Sequence, residues 1–247
     1  MSRAFEEIDH QRTLMGDISL RRRLEPTLQV DVYEVKLGDE FLMSSLFTAS
    51  EEAVARLGLA ALPGDDLDVV VGGLGLGYTA RTALADARVT RLQVIEALPQ
   101  VIGWHRDHLV PLGADLTADP RCTFVHADFF AKVADGIELG HDGPRRFDAI
   151  LVDIDHTPRH LLSPGHAAFY EPAGLARVRS QLHPGGVFAL WSDDPPDADF
   201  VATMEEVFAS VRPHVVEFAN FYTGGQSACT VYVATRSSTA SRCDDGT

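Results

Sequence analysis

The chain is short of cysteine, of basic residues and of long apolar runs, and each shortage removes a class of protein. Three cysteines, Cys122, Cys229 and Cys243, are odd in number and far apart in the 247 residues. They spell neither a disulfide framework nor a zinc motif, so a reducing compartment, the cytoplasm, is expected. Lys and Arg number 21 against 36 Asp and Glu, a net charge of -15. A nucleic-acid backbone or an anionic membrane needs a local excess of cations, so neither is expected as a partner. No apolar run of about 18 residues occurs and the stretch Met1 to His10 is acidic, which argues against a membrane span or signal peptide. His141, His160, His166 and His183 fall in loops without metal-ligand spacing and receive no assignment. A hydrophobic fraction of 45% with 23% charged residues describes an ordinary globular domain with a small appendage.

What the chain does contain is organised around Asp68 to Gly77, DVVVGGLGLG. An apolar run of the fully buried, parallel-strand type enters a turn with Gly72, Gly73, Gly75 and Gly77. Such a turn lets backbone approach a ligand without side chains in the way. A second apolar run, Leu92 to Ile95, ends in Glu96, an acid about twenty residues on. A glycine turn followed by an acid after the next strand is the fingerprint of a nucleoside site, where the acid accepts hydrogen bonds from ribose. The plain alternative is a tight turn beside an acidic cap.

Residues 1–25, with Arg21, Arg22 and Arg23 in a row, read as a solvated helix or loose arm. Alternation from Leu28 to Val35, a turn at Gly38-Asp39 and a return over Phe41 to Phe47 predict a small β-hairpin. Its edge is a plausible homodimer surface. A helix follows from about Ser50, one N-cap candidate, to Leu62. Strands are then expected at Leu92 to Glu96, Cys122 to His126, Phe147 to Val152 and Val187 to Trp191. Helices are expected at Tyr78 to Ala87, Leu98 to Val110, Pro172 to Leu182 and Phe200 to Ser210. Two last strands, His214 to Ala219 and Ala228 to Ala234, flank Tyr222-Thr-Gly-Gly-Gln, which suits a hairpin. The alternation predicts an α/β, Rossmann-like fold with a mostly parallel seven-stranded sheet and a C-terminal antiparallel hairpin. Three segments follow: an arm and hairpin over 1–50, a nucleoside-binding catalytic domain over 51–236, and a disordered tail over 237–247.

Ligands of such sheets gather outside the carboxyl ends of the strands, at the switch in strand order. Each strand there delivers a glycine turn or an acid: Gly72 to Gly77, Glu96, Asp128, Asp153 with Asp155 and His156, and Asp193 with Asp194. Helix capping accounts for any one of these acids, but less readily for the whole series.

The ordered set GGLGLG, Glu96, DPRCTFVHADFF, FDAILVDIDHTP, Phe169-Tyr170 and PGGVFALWS resembles the spermidine synthase family, over roughly residues 65–235. The resemblance implies the S-adenosylmethionine-dependent methyltransferase fold and a sulfonium nucleoside donor. It implies that Glu96 binds ribose, that Asp128 reads the adenine amino group, and that Asp153 is the base toward an attacking amine. Two positions depart from the family. Its glycine loop carries an aspartate that holds the amine of decarboxylated S-adenosylmethionine, where this chain has Gly75; its second strand-four aspartate is His156 here.

A loop carboxylate would repel the carboxylate of intact S-adenosylmethionine, whereas glycine amides can receive it, so methyl transfer to a small amine or hydroxyl is the leading expectation. Aminopropyl transfer from decarboxylated S-adenosylmethionine to a diamine is the alternative, with Asp155 able to supply the missing carboxylate. Asp153 is the first candidate base and His156 the second. Tyr170 and Asp193 are candidates for the pocket of the small-molecule acceptor. Asp153 or Asp155, with Asp193 and Asp194, also resembles the acidic set that holds Mg²⁺ in catechol-type methyltransferases, but adjacent acids before Pro195-Pro196 suit a solvated turn, and no metal is assigned. A non-catalytic nucleoside-binding module and a nicotinamide dehydrogenase are the readings from other classes.

Overall fold

The computed structural model describes residues 5–136 and 145–238. Residues 239–247 of the expected tail, with Cys243, and the loop residue His141 lie outside them. The chain begins with four antiparallel strands in the order β1-β2-β3-β4: β1 (Phe5–Thr13), β2 (Gly16–Glu25), β3 (Val30–Leu37) and β4 (Glu40–Ser44). The solvated arm expected over residues 1–25 is therefore corrected to two strands from Phe5 onward. The β1 segment FEEIDHQRT shows almost no apolar alternation. What holds it is charge set directly across the ladder, Glu6 opposite Arg22 and Glu7 opposite Arg21. The Trp104 indole N–H also donates to Asp9, 2.6 Å away. On β2 and β3 the alternation is clear, and Ile18, Leu20, Val35 and Leu37 are buried in the core of the main sheet.

Helix α1 (Ala49–Ala60) starts one turn from that sheet, with Thr48 rather than Ser50 preceding its first residue. The main sheet follows, with β5 (Leu67–Gly72), β6 (Val89–Glu96), β7 (Cys122–His126), β8 (Phe147–Val152), β9 (Leu182–Ser192), β10 (Ser210–Asn220) and β11 (Gly225–Thr235). Its order is β10-β11-β9-β8-β5-β6-β7. The pairs among β5 to β9 are parallel, while β11 is antiparallel to both β9 and β10. The central strand β5 is buried along its whole length and β8 at every residue but Asp148, because helices cover both faces. Edge strand β10 instead alternates, and it accommodates Pro213.

On one face lie α1, α2 (Tyr78–Ala85), α3 (Pro99–Arg106) and α4 (Gly113–Ala118). On the other lie α5 (Phe129–Asp135), α6 (Pro172–Ser180) and α7 (Ala198–Glu205). No helix among the described residues is long and apolar enough to cross a membrane.

Candidate functional site

Strand order switches between β5 and β8, and a cavity of about 380 Å³ opens there, beyond the strands' carboxyl ends. The loop Gly73 to Gly77 forms one wall. Gly73 has φ +92°, and a Cβ there would collide with the Asp153 carbonyl oxygen because β8 ends against the loop. Gly75 has φ +47°, and a Cβ there would collide with Met43 Sδ of β4. Four of the five loop amides are engaged within the protein. Gly73 N–H donates to the Ile95 carbonyl at 3.0 Å and Gly77 N–H to the Leu74 carbonyl at 2.8 Å. Leu74 N–H donates to Glu96 at 2.9 Å, and Leu76 N–H faces Met43 Sδ at 3.0 Å. Contrary to expectation, the Gly73 and Gly77 amides are therefore not free to receive the carboxylate of intact S-adenosylmethionine: main-chain carbonyls take both, and Glu96 takes the Leu74 amide between them.

Glu96 is buried and takes the Leu74 amide on one oxygen and the Leu98 amide, at 2.8 Å, on the other. Each oxygen keeps a second lone pair with which to meet a ribose hydroxyl. Burial pushes its carboxyl above the usual range, and the surrounding amides pull the other way. Asp128 caps α5, taking the Phe130 and Ala131 amides on a single oxygen.

Asp153 follows β8 and accepts from the Thr79 hydroxyl at 3.1 Å. Burial pushes it up to about 6. Beside it in the cavity wall stands Glu51 of α1, which accepts from the Ser50 hydroxyl at 2.6 Å. Burial, and then the charge of Asp153, push Glu51 up to about 8. Asp193, after β9, lines the same cavity, and its amide donates to the His156 carbonyl at 2.8 Å. His156 lines it too, with Nε2 3.6 Å from Glu40. Glu51, Glu96, Asp128, Asp153 and Asp193 are thus five carboxylates around one cavity, whose described lining residues include no lysine or arginine.

Other candidates lie away from that wall. Gly72 ends β5 against Phe129, and Gly77 opens α2 against His105 and Leu116. Asp155 is enclosed, accepting from Leu162 N–H at 2.8 Å, His166 Nδ1 at 2.8 Å and the Tyr170 hydroxyl at 2.9 Å. It and Tyr170 therefore face each other rather than the cavity, and Tyr170 is pushed well above the usual phenol range by burial and by that carboxylate. Asp194 is exposed, its carbonyl taken by Thr230.

Several wall residues had no signal in the sequence: Glu51 and Thr79; Met43 and Phe41 from the N-terminal sheet; and His166, stacked on Phe130 with ring centres 3.8 Å apart. His105 was visible only as a helix residue. Its Nε2–H donates to the Gly75 carbonyl at 2.9 Å, and burial lowers it to about 4, so the ring holds the loop in its neutral form.

A parallel sheet closed by an antiparallel hairpin, with a glycine loop and acids at its switch point, defines the Rossmann-like methyltransferase class of fold. Within that class the chain is similar to spermidine synthases. Over 94% of its length it superposes on the spermidine synthase of Thermotoga maritima, with a TM-score of 0.72, 19% identity and 74% of that chain covered. A spermidine synthase solved with the transition-state analogue AdoDATO gives 0.71 at 18% identity, covering 94% of this chain and 73% of that one. In sequence, 161 residues are 28% identical to polyamine aminopropyltransferase 2 of Pseudomonas aeruginosa, covering 62% of this chain and 43% of that protein. Another 150-residue match is 30% identical to the polyamine aminopropyltransferase of Prochlorococcus marinus, covering 59% and 48%. That of Leptospira biflexa is 25% identical over 207 residues, covering 80% and 68%. The chain spans less than half the length of the first two relatives. No family model matches.

Proposed function

We propose that the chain is an aminopropyltransferase, taking decarboxylated S-adenosylmethionine as donor and a small diamine as acceptor. The observation that carries this reading is the set of five carboxylates around the cavity, with no lysine or arginine among its described lining residues. Both reactants are cations, through a sulfonium and ammonium groups, and five carboxylates surround the place where they would meet. Intact S-adenosylmethionine would add a sixth carboxylate with no lysine or arginine among the described lining residues to receive it, and like charges gathered there repel. The methyl transfer favoured by Gly75 accordingly yields to the aminopropyl alternative, as the names of the relatives also suggest.

In the proposed reaction Asp153 takes a proton from the acceptor's ammonium group. The freed amine nitrogen attacks the aminopropyl carbon bonded to sulfur; the C–N bond forms as the C–S bond breaks. Sulfur keeps the electron pair and leaves as the neutral thioether of 5′-methylthioadenosine. Most of the acceleration comes from holding nitrogen and carbon in line at about 3 to 3.5 Å. Glu96 and Asp128 orient the nucleoside through ribose and base, and Met43 and Phe41 supply apolar wall. His156, near the mouth beside Glu40, is the second candidate to carry the proton outward.

The test is to incubate the protein with a diamine and either donor and follow both nucleoside products. Release of 5′-methylthioadenosine from the decarboxylated donor is expected. S-adenosylhomocysteine from the intact donor, with no 5′-methylthioadenosine, would overturn the reading. Donor binding with no product from either would return the chain to a nucleoside-binding module.

A further inference from the structure

Glu51 is the one wall carboxylate that comes from outside the strand ends, and nothing in the reaction just described uses it. It sits in the first turn of α1, 8% exposed, with one oxygen accepting from Ser50 and the residue itself lining the cavity beside Asp153. Thr79 joins the two carboxylate residues, its hydroxyl lying 3.1 Å from the Asp153 carboxylate and 3.3 Å from the Glu51 carbonyl. The described groups that face Glu51 offer no cation. They are Asp153 after β8, Asp193 and Trp191 of the β9 end, Cys229 of β11, and Tyr78 with Thr79 of α2. From β10 the cavity receives only Phe218. On its own helix Glu52 pairs outward with Arg81 at 3.4 Å, on the exposed side.

Two carboxylates enclosed together without a counter-ion do not both ionise, and they titrate as a pair. We propose that Glu51 and Asp153 share one proton in the free protein and form a single seat for the ammonium group of the donor's aminopropyl arm, so that donor binding expels the proton. This rests on the aminopropyl-transfer reading. It assigns to α1 the negative charge that the glycine loop cannot carry, since Met43 fills the space where a side chain at Gly75 would begin. It also makes the seat self-adjusting. Uncharged when empty, it becomes anionic only when a cation arrives, and it leaves Asp153 ionised for the acceptor's proton.

The experiment is titration calorimetry of the full chain at pH 7 in two buffers of different ionisation enthalpy. Decarboxylated S-adenosylmethionine should release close to one proton per molecule bound. 5′-Methylthioadenosine, the same nucleoside without the ammonium group, should release none. In Glu51→Gln the release should vanish and affinity for the decarboxylated donor fall at least tenfold, while affinity for 5′-methylthioadenosine stays within about twofold. That ligand also reports whether the variant is folded.

A second measurement needs no variant. Affinity of the wild-type protein for the decarboxylated donor should tighten by up to tenfold per unit as pH rises from 6 toward 8 and then level off, and affinity for 5′-methylthioadenosine should stay flat. Donor binding without proton release, or equal weakening of both ligands in Glu51→Gln, would sink the shared seat and leave the transfer reading standing. Binding of 5′-methylthioadenosine with none of the decarboxylated donor would sink the transfer reading itself.

Discussion

Asp153 and Asp155 stand two residues apart after the same strand and have opposite surroundings. Asp153 receives one hydroxyl, from Thr79, and faces a cavity beside a second carboxylate. Asp155 receives an amide, an imidazole and a phenol, and it is enclosed. The difference separates two uses of a buried carboxylate. Where the protein supplies all the donors, the acid fastens loops together; where it supplies one, lone pairs are left for a ligand. Glu96 lies between these cases, with one backbone amide on each oxygen and room for more.

Substitutions can break this comparison in order of size. Asp153→Asn should lower turnover on the order of a thousandfold, as loss of a positioned base does. Steady-state assay with a diamine checks this, and binding of 5′-methylthioadenosine should stay nearly unchanged. Equal loss of both would put Asp153 with the structural acids.

Asp155→Ala should do the reverse, costing about 3 kcal/mol through three stranded donors and lowering the thermal midpoint by roughly 6–12 °C. Any loss of activity at low temperature should be secondary to that. A variant as stable as the parent would show that the enclosure of Asp155 holds nothing together.

The glycines offer a smaller contrast. Gly73→Ala meets a backbone carbonyl that cannot move aside, whereas Gly75→Ala meets the flexible end of Met43. The first should cost about 3 kcal/mol and the second about 1 kcal/mol, both at positive φ. Chemical denaturation of the two variants sharpens the point, and a larger cost at Gly75 would contradict it.

The smallest effect has the opposite sign. Glu51 is pushed up to about 8 in the folded chain, so its contribution to stability is full below its ordinary value of 4.5 and is lost as pH rises toward 8. Glu51→Gln should therefore raise the melting temperature of the ligand-free protein at pH 8 by roughly 2–4 °C, with little change at pH 4.5. A melting temperature lowered at both pH values would place Glu51 with Asp155.

Much of the fold was legible because parallel strands buried on both faces leave unbroken apolar runs. Cys122–His126 and Phe147–Val152 were located to the residue. The strand Phe5–Thr13 was not, since an edge strand held by cross-strand charge pairs carries no alternation to read. Helix Phe129–Asp135 was given no bounds of its own, although Asp128 was recognised as an acid following its strand. Of the site, Gly73, Gly75, Glu96, Asp128, Asp153, His156 and Asp193 were anticipated and do meet in one cavity. Asp155 and Tyr170 were also anticipated, and they meet each other.

The sequence by itself determined where the strands of the main sheet fall along the chain and which acids follow them, because apolar periodicity and turn chemistry are local properties of the chain. Only the tertiary structure decided which of those acids keep lone pairs open to a ligand. It alone set Glu51 of the first helix beside Asp153, about a hundred positions later in the chain. Burial and hydrogen-bond saturation depend on what the fold brings near a carboxylate, and neighbours so distant along the chain leave no mark in its local pattern.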